Sequence, residues 1–503
     1  LKELLQAGYL QEEKVSVQNT CRNQTMFLYG MALIDEHTES YRRLQMERKM
    51  TVKIGLVPVR RGMGFSKTEN VLRSKENLYE ALKGVKGSIE WVDLEGLVPD
   101  GIAATPDQIP IVTDHLKAAG VDGVFMVHCD FGLEEIIARV AKAVGKPVLL
   151  WGARDPSPDA AGVRTLDTQC GIFASGKVLQ RYNVPFQYVE NCHSTDAALV
   201  SGIEDFCRTV AVVKAFSTMR ILLVGNRPKD FMSVMVNEPE LLERFGIEVV
   251  PFASGPFFRD VLALAGSEDP QLLEKLADLH SKMEVAAVTE KQLRNIAAMI
   301  LVVKKAMDTH GCSGAAMECW SSLGTALEVM PCQVIGELTD MGYPVACEAD
   351  VHGAISSVML HAANYNEAPS FFADLTIRHP ENNNAELLWH CGPFPHSLHI
   401  EGKETSIGKS GSGEWELKRG PVTITRFDGV HGRYALLTGE GKTISGPKTG
   451  GTYAWLEVED WPAWERKVVE GPFIHHVSGA YGNTARVLTD ACRYVPGLEP
   501  FPL

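Results

Sequence analysis

The chain has 503 residues, 45% of them apolar and 22% charged, which is enough for two to four domains with a sizeable core. Its formal net charge of −14 argues against a nucleic-acid partner, because phosphate binding rests on lysine and arginine releasing counterions. Eleven scattered cysteines without a C-x-x-C pair argue against a disulfide framework or a thiolate zinc cluster, and read as reduced thiols of a cytoplasmic protein.

Neither a membrane span nor a secretory leader is expected, since no run of eighteen apolar residues occurs and no basic flank precedes an apolar stretch. Residues 1–49 are polar and mixed, and read as an N-terminal extension outside the core fold. The core is expected to start near Met50 with the strand TVKIGLVPV. A helix around LYEALKGV, the strand SIEWVDL, the helix PIVTDHLKAAG, the strand VDGVFMVHC, the helix LEEIIARVAKAVG and the strand KPVLLWG follow. Short apolar strands alternating with amphipathic helices predict βαβ units and a parallel sheet covered on both faces, here over residues 50–214.

A second alternation opens at RILLVGNRP and is assigned to residues 215–345. It includes a helix from about 290 to 309, with Thr289 and Gln292 in capping-box positions and Ile296, Met299, Ile300, Val303 and Met307 on one face. Residues 346–503 are assigned to a β-rich C-terminal domain. Its texture turns Gly-rich after about residue 375, and EWELKRG, PVTITRF, RYALLTGEGKT and TYAWLEV read as short strands of an antiparallel structure or barrel. The expected fold class is thus α/β, with two doubly wound parallel-sheet domains followed by a mainly antiparallel β domain.

Two such domains in series also describe sugar-binding proteins without turnover, so function has to be argued from the site. Four polar anomalies fall at strand ends, where parallel sheets open their crevices. GAAMECWSSLG places Glu318 beside Trp320 in a small, apolar context. CEADVHGA carries Glu348, Asp350 and His352. LLWHCGPFPHSL puts His390 before a Gly-Pro turn, and GPFIHHVSGAYGN holds His475 and His476. Each has a plain structural alternative: a solvated glutamate, a polar loop, a hydrogen-bonded histidine. Because His475 and His476 project oppositely in extended backbone, one of the two at most is expected to face a given site. Together, two carboxylates and an imidazole from separate loops make a hard, oxygen-rich site for Mn²⁺ or Mg²⁺, with Co²⁺ also compatible.

These stretches carry a family resemblance. From about Met50 onward the chain resembles the L-fucose isomerase and L-arabinose isomerase superfamily, in its fucose-isomerase-like branch. The match lies in HCDFGLEE, KPVLLWGARD, RILLVGNRPKDFMSVMVNEPELLERFGIEVV, CEADVHGA, FFADL, HCGPFP and HHVSGAYG. The resemblance implies a divalent metal, usually manganese, held by a Glu, an Asp and a C-terminal His, the two acids also moving a proton. Motif by motif it points to Glu318 and Asp350 as metal ligands and catalytic acid/base pair, and to His476 as the third ligand. His390 is similar in placement to an additional histidine ligand of arabinose isomerases.

The function implied is a ketol isomerase that interconverts a free aldose and ketose, of the pentose, hexose or deoxysugar class, through a cis-enediol. Trp320, Trp389 and Tyr481 would suit sugar faces, and His352 would contact substrate or cap a turn. Arg60 and Arg61 resemble an arginine that reaches the site of a neighbouring subunit. The family implies a homo-oligomer, trimer or hexamer. Alternatives are a non-catalytic sugar-binding protein, or a metal-dependent epimerase or aldolase with the same enediolate chemistry. A nicotinamide enzyme is disfavoured because no G-x-G-x-x-G follows the first strand.

Overall fold

The computed structural model describes residues 48–62, 66–158, 160–320 and 322–503. The expected extension therefore lies almost wholly outside the described residues.

The first sheet has five parallel strands: β1 (Val52–Val59), β2 (Ile89–Val92), β3 (Gly123–His128), β4 (Val148–Gly152) and β5 (Gln187–Tyr188). They are ordered β2-β1-β3-β4-β5. The near-continuous apolar strands explain why both faces are covered. Val57, Val59, Val124, Met126, Val148 and Leu150 point into one core, whereas Ile54, Leu56, Phe125, Val127, Leu149 and Trp151 point into the other.

The second sheet, ordered β7-β6-β8-β9, is also parallel: β6 (Arg220–Val224), β7 (Glu248–Phe252), β8 (Gly314–Met317) and β9 (Val345–Ala346). The helix Glu290–His310 on this sheet has the expected start. Gln292 N donates to Thr289 Oγ1 and Thr289 N donates to Gln292 Oε1, a reciprocal cap. Its Ile296, Met299, Ile300, Val303 and Met307 are all buried.

The third sheet contains β10 (Phe371–Arg378), β11 (Ala385–His390), β12 (Ser406–Ile407), β13 (Gly413–Glu416), β14 (Gly420–Val430), β15 (Arg433–Ile444), β16 (Thr452–Glu457), β17 (His476–Tyr481) and β18 (Leu498–Pro502). Antiparallel neighbours run β16-β11-β10-β17-β14-β15, and β15 pairs back onto β16, closing a six-stranded barrel. Two parallel pairings, β13 with β16 and β15 with β18, lie outside that ring.

The helix Val351–Ala363 joins the second sheet to the barrel. Its sequence VHGAISSVMLHAA is small and apolar on every side, and all thirteen residues are buried, as expected of a helix enclosed by other elements. It packs against the helix Ala197–Ser217, β8, β14 and β17. The N-terminus of this helix positions the site.

Candidate active site

The turn from β9 into that helix is unusual. Glu348 and Ala349 both adopt left-handed backbone, with φ of 61° and 57°, a conformation that costs non-glycine residues of order 1–3 kcal/mol each. Hydrogen bonds from Ala349 N to Met317 O (3.0 Å) and from Asp350 N to Cys347 O (3.1 Å) hold it. The reversal sends the side chain of Glu348 across the mouth of the sheet and leaves Asp350 to cap the helix through Gly353 N at 2.9 Å.

Asp350 is 1% exposed, and its carboxylate is fully engaged. Oδ1 accepts from Gly353 N and from Arg426 Nη2 at 3.2 Å, while Oδ2 pairs with Arg426 Nη1 and lies 2.8 Å from His476 Nδ1. Four partners occupy its four acceptor directions. Burial opposes its charge, but the Arg426 guanidinium and His476 outweigh that and hold the carboxyl far below the usual range. Arg426, itself completely buried, also pairs with Asp428, which lies 2.9 Å from His352 Nδ1.

With Nδ1 fixed by Asp350, the opposite nitrogen of His476 faces two further acids. His476 Nε2 lies 2.9 Å from Glu348 Oε2 and 3.5 Å from Asp374 Oδ1. None of these three buried atoms makes a directed hydrogen bond, and His390 Nε2 is also unsatisfied. Asp374 is brought there by the register of β10 on β17, in which it stands opposite His476. His390 ends β11, its ring 5.9 Å from that of Phe372, which in turn is 5.1 Å from His476. Burial works against protonation of His476, yet Asp350 and Glu348 raise its pKa to about 9. Such orphaned donor atoms around a charged pair fit a divalent cation of the manganese or magnesium type: two carboxylates, imidazole nitrogen and no thiolate.

The residues singled out in the sequence are distributed as follows. Asp350 and His476 touch. Glu318, also buried, directs its carboxylate to Asn226 N (2.9 Å), Ser322 N (2.7 Å) and Ser322 Oγ (2.5 Å), tying together two loops at the end of the second sheet. Trp320 is 48% exposed and donates its indole N–H to Glu348 Oε1 at 3.1 Å. His475 does not point away from its neighbour: it precedes β17 rather than lying in it, its ring sits 4.5 Å from that of His476, and its Nε2 is 4.0 Å from Asp374 Oδ1. Asp374, His475 and His476 form the one metal-capable triad of closely spaced donors among the described residues.

His352 is absorbed by its bond to Asp428, Tyr481 by a bond to the Lys418 carbonyl, and Trp389 by a 2.6 Å bond to Gly450 O. Arg60 lies at the end of β1, with Nη1 3.5 Å from Thr68 Oγ1. Two acids received no ligand role in the sequence reading: Glu348 and Asp374. The available signal was a lone charge in the otherwise apolar strand start FFADL, and a glutamate directly after a buried strand.

Residues 55–217 match the family described as Fucose/sulfoquinovose isomerase, N-terminal domain. The chain is 25% identical over 370 residues to a sulfoquinovose isomerase of Priestia megaterium, covering 71% of this chain and 80% of that protein. A sulfoquinovose isomerase of Alkalicoccus urumqiensis is 23% identical over 357 residues, covering 70% and 78%. The match to the fucose/sulfoquinovose isomerase family is thus to its N-terminal domain, and the two relatives support the same fucose-isomerase-like superfamily. Both relatives are sugar isomerases by name. The similarity to these relatives is longer than the first domain.

Proposed function

We propose that this chain is a sugar isomerase that depends on a divalent cation, Mn²⁺ in preference to Mg²⁺ or Co²⁺, and moves one proton between C1 and C2 of an open-chain sugar through a cis-enediol. The observation that carries the reading is the convergence of Glu348 Oε2, Asp374 Oδ1 and His476 Nε2, all buried and without directed hydrogen bonds. These three residues would hold the ion, with His390 as a fourth donor. Asp350 is assigned to orienting His476 because its own acceptor positions are taken. That arrangement, a carboxylate behind a ligating histidine, fixes the tautomer and the direction of the ring. Glu318 is assigned to anchoring the adjacent loops.

When bound, the cation supplies Lewis-acid stabilisation of the charge that develops on O1 and O2. The chain's residues do the rest. Glu348 and Asp374 are the carboxylates beside His476 Nε2, and in this reading one takes the proton from C2 and returns it to C1 while the other passes the hydroxyl proton from O2 to O1. Phe231 and Phe372 flank His476 with ring centroids at 5.2 and 5.1 Å, and limit water at the reacting carbons. The substrate is a free pentose, hexose or deoxysugar, with sulfoquinovose included because the relatives are sulfoquinovose isomerases. We assign the reaction to the cytoplasm, supported by ten described cysteines that are all free, and to a homo-oligomer, trimer or hexamer.

The test is proton exchange at C2 in D₂O across L-fucose, L-arabinose and sulfoquinovose, after dialysis against chelator and again with Mn²⁺ restored. Exchange is expected only with the ion present, and Glu348→Gln and Asp374→Asn are each expected to lower it by about 10²–10⁴-fold. Full exchange without metal, or full rate in both variants, overturns the proposal.

A further inference from the structure

Glu348 is unusual in how it is held. Its backbone is pinned in the left-handed region at φ 61°, so the carboxylate can be aimed only by its own side-chain torsions and by what bonds to its head. One oxygen, Oε2, faces His476 Nε2 at 2.9 Å without hydrogen-bond alignment. The other, Oε1, receives the Trp320 indole N–H at 3.1 Å. Hydrophobic burial does not account for the position of Trp320, because the side chain is 48% exposed. It leans instead on Phe231, with centroids 6.4 Å apart and an edge-on angle of 63°. Phe231 is fixed in turn by its own loop, in which Arg227 Nη1 donates to the carbonyls of Pro228 (2.9 Å), Lys229 (3.3 Å) and Phe231 (2.9 Å).

We propose that Trp320 is a positioning residue for the isomerisation: its indole N–H, rather than the bulk of its ring, keeps the Glu348 carboxylate turned so that Oε2 is presented to the cation. This rests on the metal site proposed above. An indole nitrogen donates and never accepts, so its bond engages Oε1 and leaves Oε2 turned towards His476 Nε2. It therefore favours binding of the ion through Oε2. Partners of this kind behind a metal ligand are typically worth 10–100-fold in affinity or activity.

The experiment compares wild type, Trp320→Phe and Trp320→His by calorimetric titration with Mn²⁺ alone, followed by kcat and KM with whichever sugar the exchange screen identifies. Trp320→Phe keeps an aromatic edge against Phe231 but removes the donor. It is expected to weaken Mn²⁺ binding about 10-fold and to lower kcat at saturating metal, with KM changed less than about 3-fold and the melting temperature nearly unchanged. Trp320→His, which retains a ring N–H, is expected to recover part of the lost Mn²⁺ affinity. Equal Mn²⁺ affinity and kcat in Trp320→Phe and wild type overturn the proposal. So does a rise in KM alone, which would make the ring a sugar-stacking surface. Wild type that binds no Mn²⁺ overturns the reading of the site itself, and is distinguishable because it needs no variant.

Discussion

His476 Nδ1 lies 2.8 Å from Asp350 Oδ2, and that single contact decides which face of the imidazole is turned to Glu348 and Asp374. The contact is stiff because Asp350 is simultaneously bonded by Arg426 and by the first turn of the helix Val351–Ala363. Replacing the aspartate by asparagine keeps the shape and removes the charge. Asp350→Asn should weaken Mn²⁺ binding by about 10–100-fold. It should also cost about 3–5 kcal/mol of stability, because Arg426 loses one of two buried partners. Metal titration and a urea unfolding curve measure the two effects separately. Unchanged affinity would show that the ring is oriented by something else.

Gly353 sits one turn into the same helix, where alanine would normally stabilise by about 1 kcal/mol. Here a Cβ would stand 2.4 Å from Phe372 Cε2 and 2.9 Å from Asp350 Oδ2. Overpacking of this kind costs about 1–3 kcal/mol and outweighs the propensity gain. Gly353→Ala is therefore expected to unfold at lower urea concentration and to bind Mn²⁺ more weakly, since both crowded groups adjoin His476. A more stable variant would mean that Phe372 can move freely.

Glu386 offers a test of pH dependence away from the site. Burial pushes its carboxyl up to about 7, with Glu465 adding to the rise and Arg378 opposing it. The folded state then binds a proton more tightly than the unfolded chain, so this group's contribution is most favourable at low pH. It is lost as pH climbs from the ordinary glutamate range towards 7. At about 1.4 kcal/mol per unit, and allowing for partial screening, the loss is on the order of 2 kcal/mol. Glu386→Gln should flatten this part of the stability profile between pH 4.5 and 7, as read from urea midpoints. An identical slope in the variant would place the titration elsewhere.

Local pattern carried the two parallel sheets. The strands from β1 to β4 and the capped helix Glu290–His310 all lie where apolar periodicity and Thr289/Gln292 put them. Barrel strands β11, β14, β15 and β16 were legible too, but not β10 and β17 or the closure, because the pairing of β15 with both β14 and β16 is long-range and no short window records it. The site was half legible. His476 and Asp350 stood out as charge at strand ends. Asp374 did not, because its importance comes from lying opposite His476 on a strand far away in the chain. Arg426 in PVTITRF was given no role, yet it is completely buried between two aspartates. Pairwise compensation of that kind is invisible until both partners are placed.

The donor atoms come from two different architectural layers. Glu348 hangs from the end of the second parallel sheet, whereas Asp374 and His476 belong to barrel staves. A chimera that joins another enzyme's parallel-sheet half to this barrel at a point between Glu348 and Asp374 would split the ligand set. The exchangeable cassette must begin before β9 and include the whole left-handed turn. Recombination that cuts after that turn would separate Glu348 from Asp374 and His476 and leave no working centre.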